Sequence, residues 1–372
     1  MELHTGVFGA PGGADVAVTC EVTGDWADLS GVPGGASAWA HGGVAATLSG
    51  EVLGFHAGWL VVFDRRGAVQ RLAATDLVEG HGLAAVVEED EELVWVCDPG
   101  FAFTCTGDWE DEGLAALFGK GIRQESGAPR VVKMRLDGGI VFELPLPSDA
   151  VSYAPTAVVV DDERFGGTGD VWVADGYGQG VVHRFDASGR HVSAISGETG
   201  AGRFDCPHAL LLDRRAPWTP ELYVTERGNS RVQVYDLEGR YLRSFGEGAL
   251  NSPSALARWG DLLVVAELFG RLAAFDTDER FVGYLGASPD AEVDAERGWP
   301  ARPGWPNHLA ADGRATPPPV VPGTFTAPHS LAVDADGALY VSEWLLGGRY
   351  HQLIRHDARS GGAPGASERT RP

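Results

Sequence analysis

Lysine is almost absent from this 372-residue chain: only Lys120 and Lys133 occur, so 27 of the 29 basic residues are arginine. Against them stand 52 acids, for a formal net charge of −23. A surface of that sign lacks the positive field that holds nucleic acid or an anionic membrane, and both are excluded as main partners. Cysteine is scarce as well. Cys20, Cys97, Cys105 and Cys206 show none of the paired spacing of a zinc–thiolate site. Cys97 and Cys105 are close enough to bond across a loop, but a reduced, cytoplasmic state is the expectation. The start, Met1-Glu2-Leu3-His4-Thr5, has no basic segment followed by an apolar run, so no secretory signal is expected. No apolar stretch approaches the roughly 20 residues of a membrane span. Long amphipathic helices are missing too; residues 108–119 could form a short one. Alanine, glycine and arginine are plentiful, a usage found in GC-rich bacteria. Apolar anchors fail near Ser360, so 359–372 is expected to be a mobile tail, leaving 1–358 as one domain.

What is present is a repeat. One phrase is a small residue, Pro, a polar residue and an apolar run. It occurs as Ala154-Pro155-Thr156-Ala157-Val158, Cys206-Pro207-His208-Ala209-Leu210, Ser252-Pro253-Ser254-Ala255-Leu256 and Ala327-Pro328-His329-Ser330-Leu331, with a looser copy at Gly80-His81-Gly82-Leu83. A second phrase is an alternating strand ending in an acid, at Asp64, Asp98, Asp175, Glu226, Glu267 and Glu343. The intervals between those acids are 34, 77, 51, 41 and 76 residues. Periods near 40 to 50, with short strands and Gly-rich turns, predict an all-β, six-bladed β-propeller with four-stranded blades. The two long intervals predict insertions around 100–150 and 284–325, which carry Trp109, Trp299 and Trp305 and would shape the mouth.

In such a ring the first strand of each blade lines the axis and the second runs antiparallel to it. The start of strand one and the end of strand two therefore share a mouth. His81, His208 and His329 fall at strand-one starts on alternate blades, with Thr156 and Ser254 between them. Three convergent neutral imidazoles are a first shell for zinc or another divalent metal. The register of His41-Gly42-Gly43-Val44 in blade one cannot be fixed from sequence. The six acids, present in every blade, are expected to tie neighbouring blades together through backbone N–H groups. The residues just past the acids vary: Arg65, Pro99, Gly176-Tyr177, Arg227, Leu268 and Trp344. Arg65 and Arg227 suit a bidentate grip on a substrate carboxylate. Tyr177, beside a metal and arginines, is expected to have a depressed pKa and to act as a base.

These residues resemble the peptidyl-α-hydroxyglycine α-amidating lyase family, related to NHL-repeat proteins. The likeness rests on Val173-Ala174-Asp175-Gly176-Tyr177, Gly202-Arg203-Phe204, Pro207-His208-Ala209-Leu210, Val224-Thr225-Glu226-Arg227-Gly228-Asn229-Ser230-Arg231 and Phe325-Thr326-Ala327-Pro328-His329. It covers about 42–355. The resemblance implies zinc on His81, His208 and His329, Tyr177 as catalytic base, and Arg65 and Arg227 as substrate-binding residues. It implies a peptide-type or small substrate ending in a carboxylate, cleaved at the N–Cα bond to an amide and glyoxylate. The family's hydroxylating partner enzyme would lie on a separate chain. Ser330 stands where the family has a calcium-binding aspartate, which argues against a structural Ca2+, and Gly178 replaces a disulfide cysteine. Two other readings stand beside it: a non-catalytic NHL-type propeller that binds a protein or peptide, and a propeller hydrolase of the lactonase type.

Overall fold

A computed structural model describes residues 3–8, 18–107, 111–148, 150–214, 219–296 and 298–356. The expected tail, and Trp109, lie outside the described residues.

Within these residues the chain is built from antiparallel sheets. Four-stranded sheets start at Val44–Ala46, Gly82–Glu88, Ala157–Val160, Pro207–Asp213 and Pro253–Trp259, each beginning with its innermost strand. A five-stranded sheet starts at Pro328–Val333, and its two outer strands are the N-terminal segments Leu3–Phe8 and Val18–Thr23. The first and last parts of the chain thus share one sheet, which closes the series by hydrogen bonds.

Alternation decides the packing. Inward residues of neighbouring sheets form one apolar layer after another, for example Val94 and Val96 with Leu53 and Phe55, and Val232 and Val234 with Leu263 and Val265. The last layer joins Tyr340 and Tyr350 of the C-terminal sheet to Val44, Val52 and Phe63 of the first. Each sheet is therefore covered on both faces, as radially arranged sheets must be, and the architecture is a β-propeller.

The expected insertion at 100–150 is shorter than its interval suggested. Arg130–Arg135 and Ile140–Glu143 are the third and fourth strands of the second sheet, so only the stretch between Asp98 and Arg130 is inserted. It holds the strands Phe101–Cys105 and Ile122–Ser126 and the helix Glu112–Phe118. Asp111 caps that helix by accepting from the Leu114 N–H at 2.9 Å, and Gly119 ends it at φ 96°, a conformation open to glycine. The second insertion adds two small hairpins, Val293–Asp294 with Trp299–Pro300 and His308–Leu309 with Ala315–Thr316. The two insertions meet where the Lys120 N–H bonds the Gly313 carbonyl at 2.9 Å. All four cysteines are free thiols, so no bond joins Cys97 to Cys105. No helix among the described residues is long and apolar enough to cross a membrane.

Candidate metal centre

The acids at the ends of second strands do local work. Asp98 accepts from the N–H groups of Val78 (2.7 Å) and Glu79 (3.3 Å), and Asp175 from Ala154 (2.7 Å) and Gln179 (2.8 Å). Glu226 accepts from Asp205, Glu267 from Asn251, and Glu343 from Thr326 and Ala327. Each carboxylate holds the segment entering the first strand of its own sheet. The expectation of ties between neighbouring blades is corrected accordingly. Because His81, His208 and His329 sit at the ends of such segments, these buried carboxylates position the imidazoles.

The structure brings His81, His208 and His329 together: ring centroids lie 4.7 to 4.9 Å apart and the side chains are almost fully buried. The intervening sheets have a part as well. His81 Nδ1 lies 2.6 Å from the Thr156 carbonyl oxygen, and His208 Nδ1 lies 2.6 Å from that of Ser254. A carbonyl can only accept, so each Nδ1 carries the proton and each Nε2 presents a lone pair to the centre.

A fourth ring joins them. The His41 ring lies 4.4 Å from His81, edge to face, and 4.8 Å from His329, centroid to centroid. Its register explains why it was unreadable. Val44 pairs with Gly54 as Leu83 pairs with Val96, which makes Gly42, not His41, the counterpart of His81. A Cβ at Gly42 would stand 2.1 Å from the Phe55 carbonyl oxygen, so no side chain fits there, and the imidazole enters from one residue earlier. Ring nitrogens of His41, His81 and His329 lie within 4.8 Å of one another, and these three could hold a metal ion.

Tyr177 is the hub. Its hydroxyl oxygen lies 3.0 Å from His208 Nε2, 3.2 Å from His81 Nε2 and 3.1 Å from His41 Nε2, and Arg227 Nη1 donates to it at 3.3 Å. One hydroxyl proton faces at least two imidazole lone pairs. Meanwhile both ring nitrogens of His329, and Nδ1 of His41, are buried without a partner. Buried polar atoms are rarely left so. A centre rich in lone pairs and poor in protons fits a bound cation.

Charge at the centre follows from burial. Desolvation, helped by the Arg227 charge, pushes the His81 pKa down to about 3, and burial holds His41, His208 and His329 well below the ordinary imidazole value. The imidazoles are neutral, the form that binds metal. Tyr177 departs from expectation: burial outweighs the nearby Arg227 and raises its pKa to about 12. An axial channel of about 430 Å³ reaches His81, His208 and His329 from the opposite rim; Tyr177 and Arg227 do not line it.

Arg65 is not at this centre. Asp64 follows the third strand of its sheet, Trp59–Phe63, and accepts from the Arg66 and Ala68 N–H groups as Asp186 does from Ser188 and Arg190. The second strand of that sheet ends instead at His56, which bonds the Gly35 carbonyl oxygen at 2.9 Å. Arg65 therefore projects at the opposite rim, where it pairs with Asp336 at 2.5 Å with 56% of its side chain exposed. Arg65→Ala is expected to leave metal content and turnover at wild-type levels and to cost less than about 1 kcal/mol of stability in chemical denaturation. A large fall in turnover would return Arg65 to the site. Ser330, at the doubted calcium position, accepts the Val44 N–H at 3.2 Å.

The chain matches no family model. A stretch of 122 residues is 30% identical to NHL repeat-containing protein 3 of Mus musculus, covering 31% of this chain and 32% of that protein. The match thus spans about a third of the length of that curated relative. Among solved structures the chain is similar to a streptogramin B lyase (TM-score 0.50, 13% identity, 90% of this chain and 97% of that one). It is also similar to a gluconolactonase from Xanthomonas campestris (TM-score 0.51, 10% identity, 91% and 90%). A third is a protein of unknown function from Bacteroides thetaiotaomicron (TM-score 0.54, 14% identity, 86% and 70%). At these identities the likeness speaks for the fold alone, an all-β propeller; the murine match adds a similarity to an NHL repeat-containing protein over about a third of the chain.

Proposed function

We propose that the protein is a six-bladed NHL-type propeller enzyme, a metal-dependent lyase that cleaves the N–Cα bond of an N-acyl-α-hydroxyglycine to an amide and glyoxylate. The observation that carries this reading is the convergence of four neutral histidines, three of them on one phenol that a guanidinium also meets. A propeller that only bound a protein would have no use for it. Zinc is the cation proposed, held by His81 and His329, with His208 completing the three-fold set on alternate blades and His41 as its competitor. When bound, such an ion supplies positive charge that lowers the pKa of nearby oxygen groups.

The residues of the chain do the rest. Arg227 lies over the Tyr177 ring, 5.2 Å from guanidinium carbon to centroid, and its fork holds the substrate carboxylate beside the phenol oxygen. Tyr177, as phenolate, takes the proton of the substrate hydroxyl. The C–O bond becomes a carbonyl, the N–Cα electron pair leaves with nitrogen, and the phenol returns the proton to that nitrogen. Burial alone disfavours the phenolate, so the base role depends on the positive charge that Arg227 and the ion bring together. The hydroxylated substrate would come from a separate enzyme.

Purified protein with its metal quantified, assayed for glyoxylate release from α-hydroxyhippurate, tests the proposal. Metal-dependent release, abolished by chelation and restored by zinc, is the expected result. Bound metal without any release would sink the lyase assignment.

A further inference from the structure

We infer that the group on the amide side of the substrate is aromatic, and that Phe101, from the first insertion, selects it. The inference rests on the lyase reading for which end of the substrate carries the carboxylate. It goes beyond that reading in naming what lies at the other end.

The mouth of the ring is not evenly open. Over the first, fifth and sixth blades it is roofed by a separate aromatic core of Trp39, Phe118, Trp305 and Trp344, all less than 9% exposed, together with Leu268 and Ala327. Over the third and fourth blades that core contributes no residue to a roof, and Tyr177, Arg227 and Cys206 are half-buried there. Phe101 stands at the inner edge of the roof. Its ring lies 5.6 Å from Tyr177 and 6.0 Å from His41, centroid to centroid, and it is half-buried. Behind it the rings continue as a ladder, Phe103 at 5.9 Å and then Phe118 at 6.2 Å from Phe103.

The placement is rigid. The strand Phe101–Cys105 is paired with Ile122–Ser126 on one side and Ala38–Trp39 on the other, so its alternate residues Phe101 and Phe103 face one way. Phe101 and Arg227 both touch the Tyr177 ring. A substrate whose carboxylate is on Arg227 and whose reacting hydroxyl meets the phenol oxygen has its acyl group toward the Phe101 face. That face is flat, apolar and preorganised, and a planar aromatic acyl group gains edge or stacking contact there that an acetyl group cannot make.

The test uses unreactive N-acylglycines as binding probes for the metal-loaded protein. N-benzoylglycine is expected to bind about tenfold more tightly than N-acetylglycine. In Phe101→Ala and in the volume-preserving Phe101→Leu, each checked for wild-type metal content and circular dichroism, that ratio should fall towards one. Equal affinities in the wild type, or an undiminished ratio in both variants, would overturn the inference. If neither N-acylglycine binds, the carboxylate assignment of the lyase reading fails instead. The aromatic wall is then judged on benzamide against acetamide by the same ratio, with equal binding again overturning it.

Discussion

His81→Ala is expected to empty the centre, taking metal content from about one ion per chain to near none. His81 has this rank because it belongs to both sets of three that the geometry allows. Its ring lies 4.7 to 4.8 Å from those of His208 and His329 and 4.4 Å from that of His41. Its Nε2 lone pair is aimed by the bond from Nδ1 to the Thr156 carbonyl, so the ligand is preorganised rather than recruited. The cost to stability is smaller, about 1–3 kcal/mol, mainly the Thr156 carbonyl left without its donor. His208→Ala and His41→Ala then separate the two sets. If the alternate-blade set holds the ion, His208→Ala loses it and His41→Ala retains it; the reverse assigns His41. Metal analysis by mass spectrometry reads all three variants, and unchanged stoichiometry in His81→Ala would end the histidine-centre proposal.

Tyr177→Phe is expected to do the opposite: keep the metal and lose the reaction. The phenol ring is held by Arg227 at 5.2 Å and Phe101 at 5.6 Å, contacts that phenylalanine preserves. Removing the hydroxyl takes away the one proton donor shared by His41, His81 and His208, so their lone pairs become more available to a cation. Turnover should fall by about 10² to 10⁴, the usual contribution of a positioned acid–base group. Glyoxylate release at saturating substrate, beside metal content, checks both halves. A variant with full turnover would remove Tyr177 from the base role.

Much of this was legible in the chain. His81, His208 and His329 could be placed at one mouth because the Pro-x-apolar phrase marks the start of an inner strand and the terminal acid marks the end of the next. That phrase survives in sequence because its physical tasks recur in sheet after sheet: a carboxylate capturing entry N–H groups, and alternate residues buried on both faces. Tyr177 and Arg227 followed from counting one or two residues past those acids.

The same counting failed at the first blade, and the signal needed was present. Phe63-Asp64 followed by Gly67 matches Phe185-Asp186 followed by Gly189, a turn after the third strand. Reading Asp64 as the end of a second strand moved Arg65 to the wrong rim. His41 had no such signal. Its place is decided by Gly42, whose close approach to the Phe55 carbonyl is a contact between strands and leaves no mark along the chain. The tyrosine pKa went astray for a similar reason: a nearby arginine is visible in sequence order, but burial is not.

By itself, then, the sequence determined the repeat, the strand order from the third blade onward, the shared repeat position of three histidines, and the excess of acidic residues. Those depend on local alternation and on the covalent spacing between residues. Only the tertiary structure decided the fourth histidine, the exclusion of Arg65, the carbonyls that aim His81 and His208, and the aromatic roof that ends in Phe101. Each of these is a contact between segments tens to hundreds of residues apart, set by how the ring closes and how two insertions pack across its mouth.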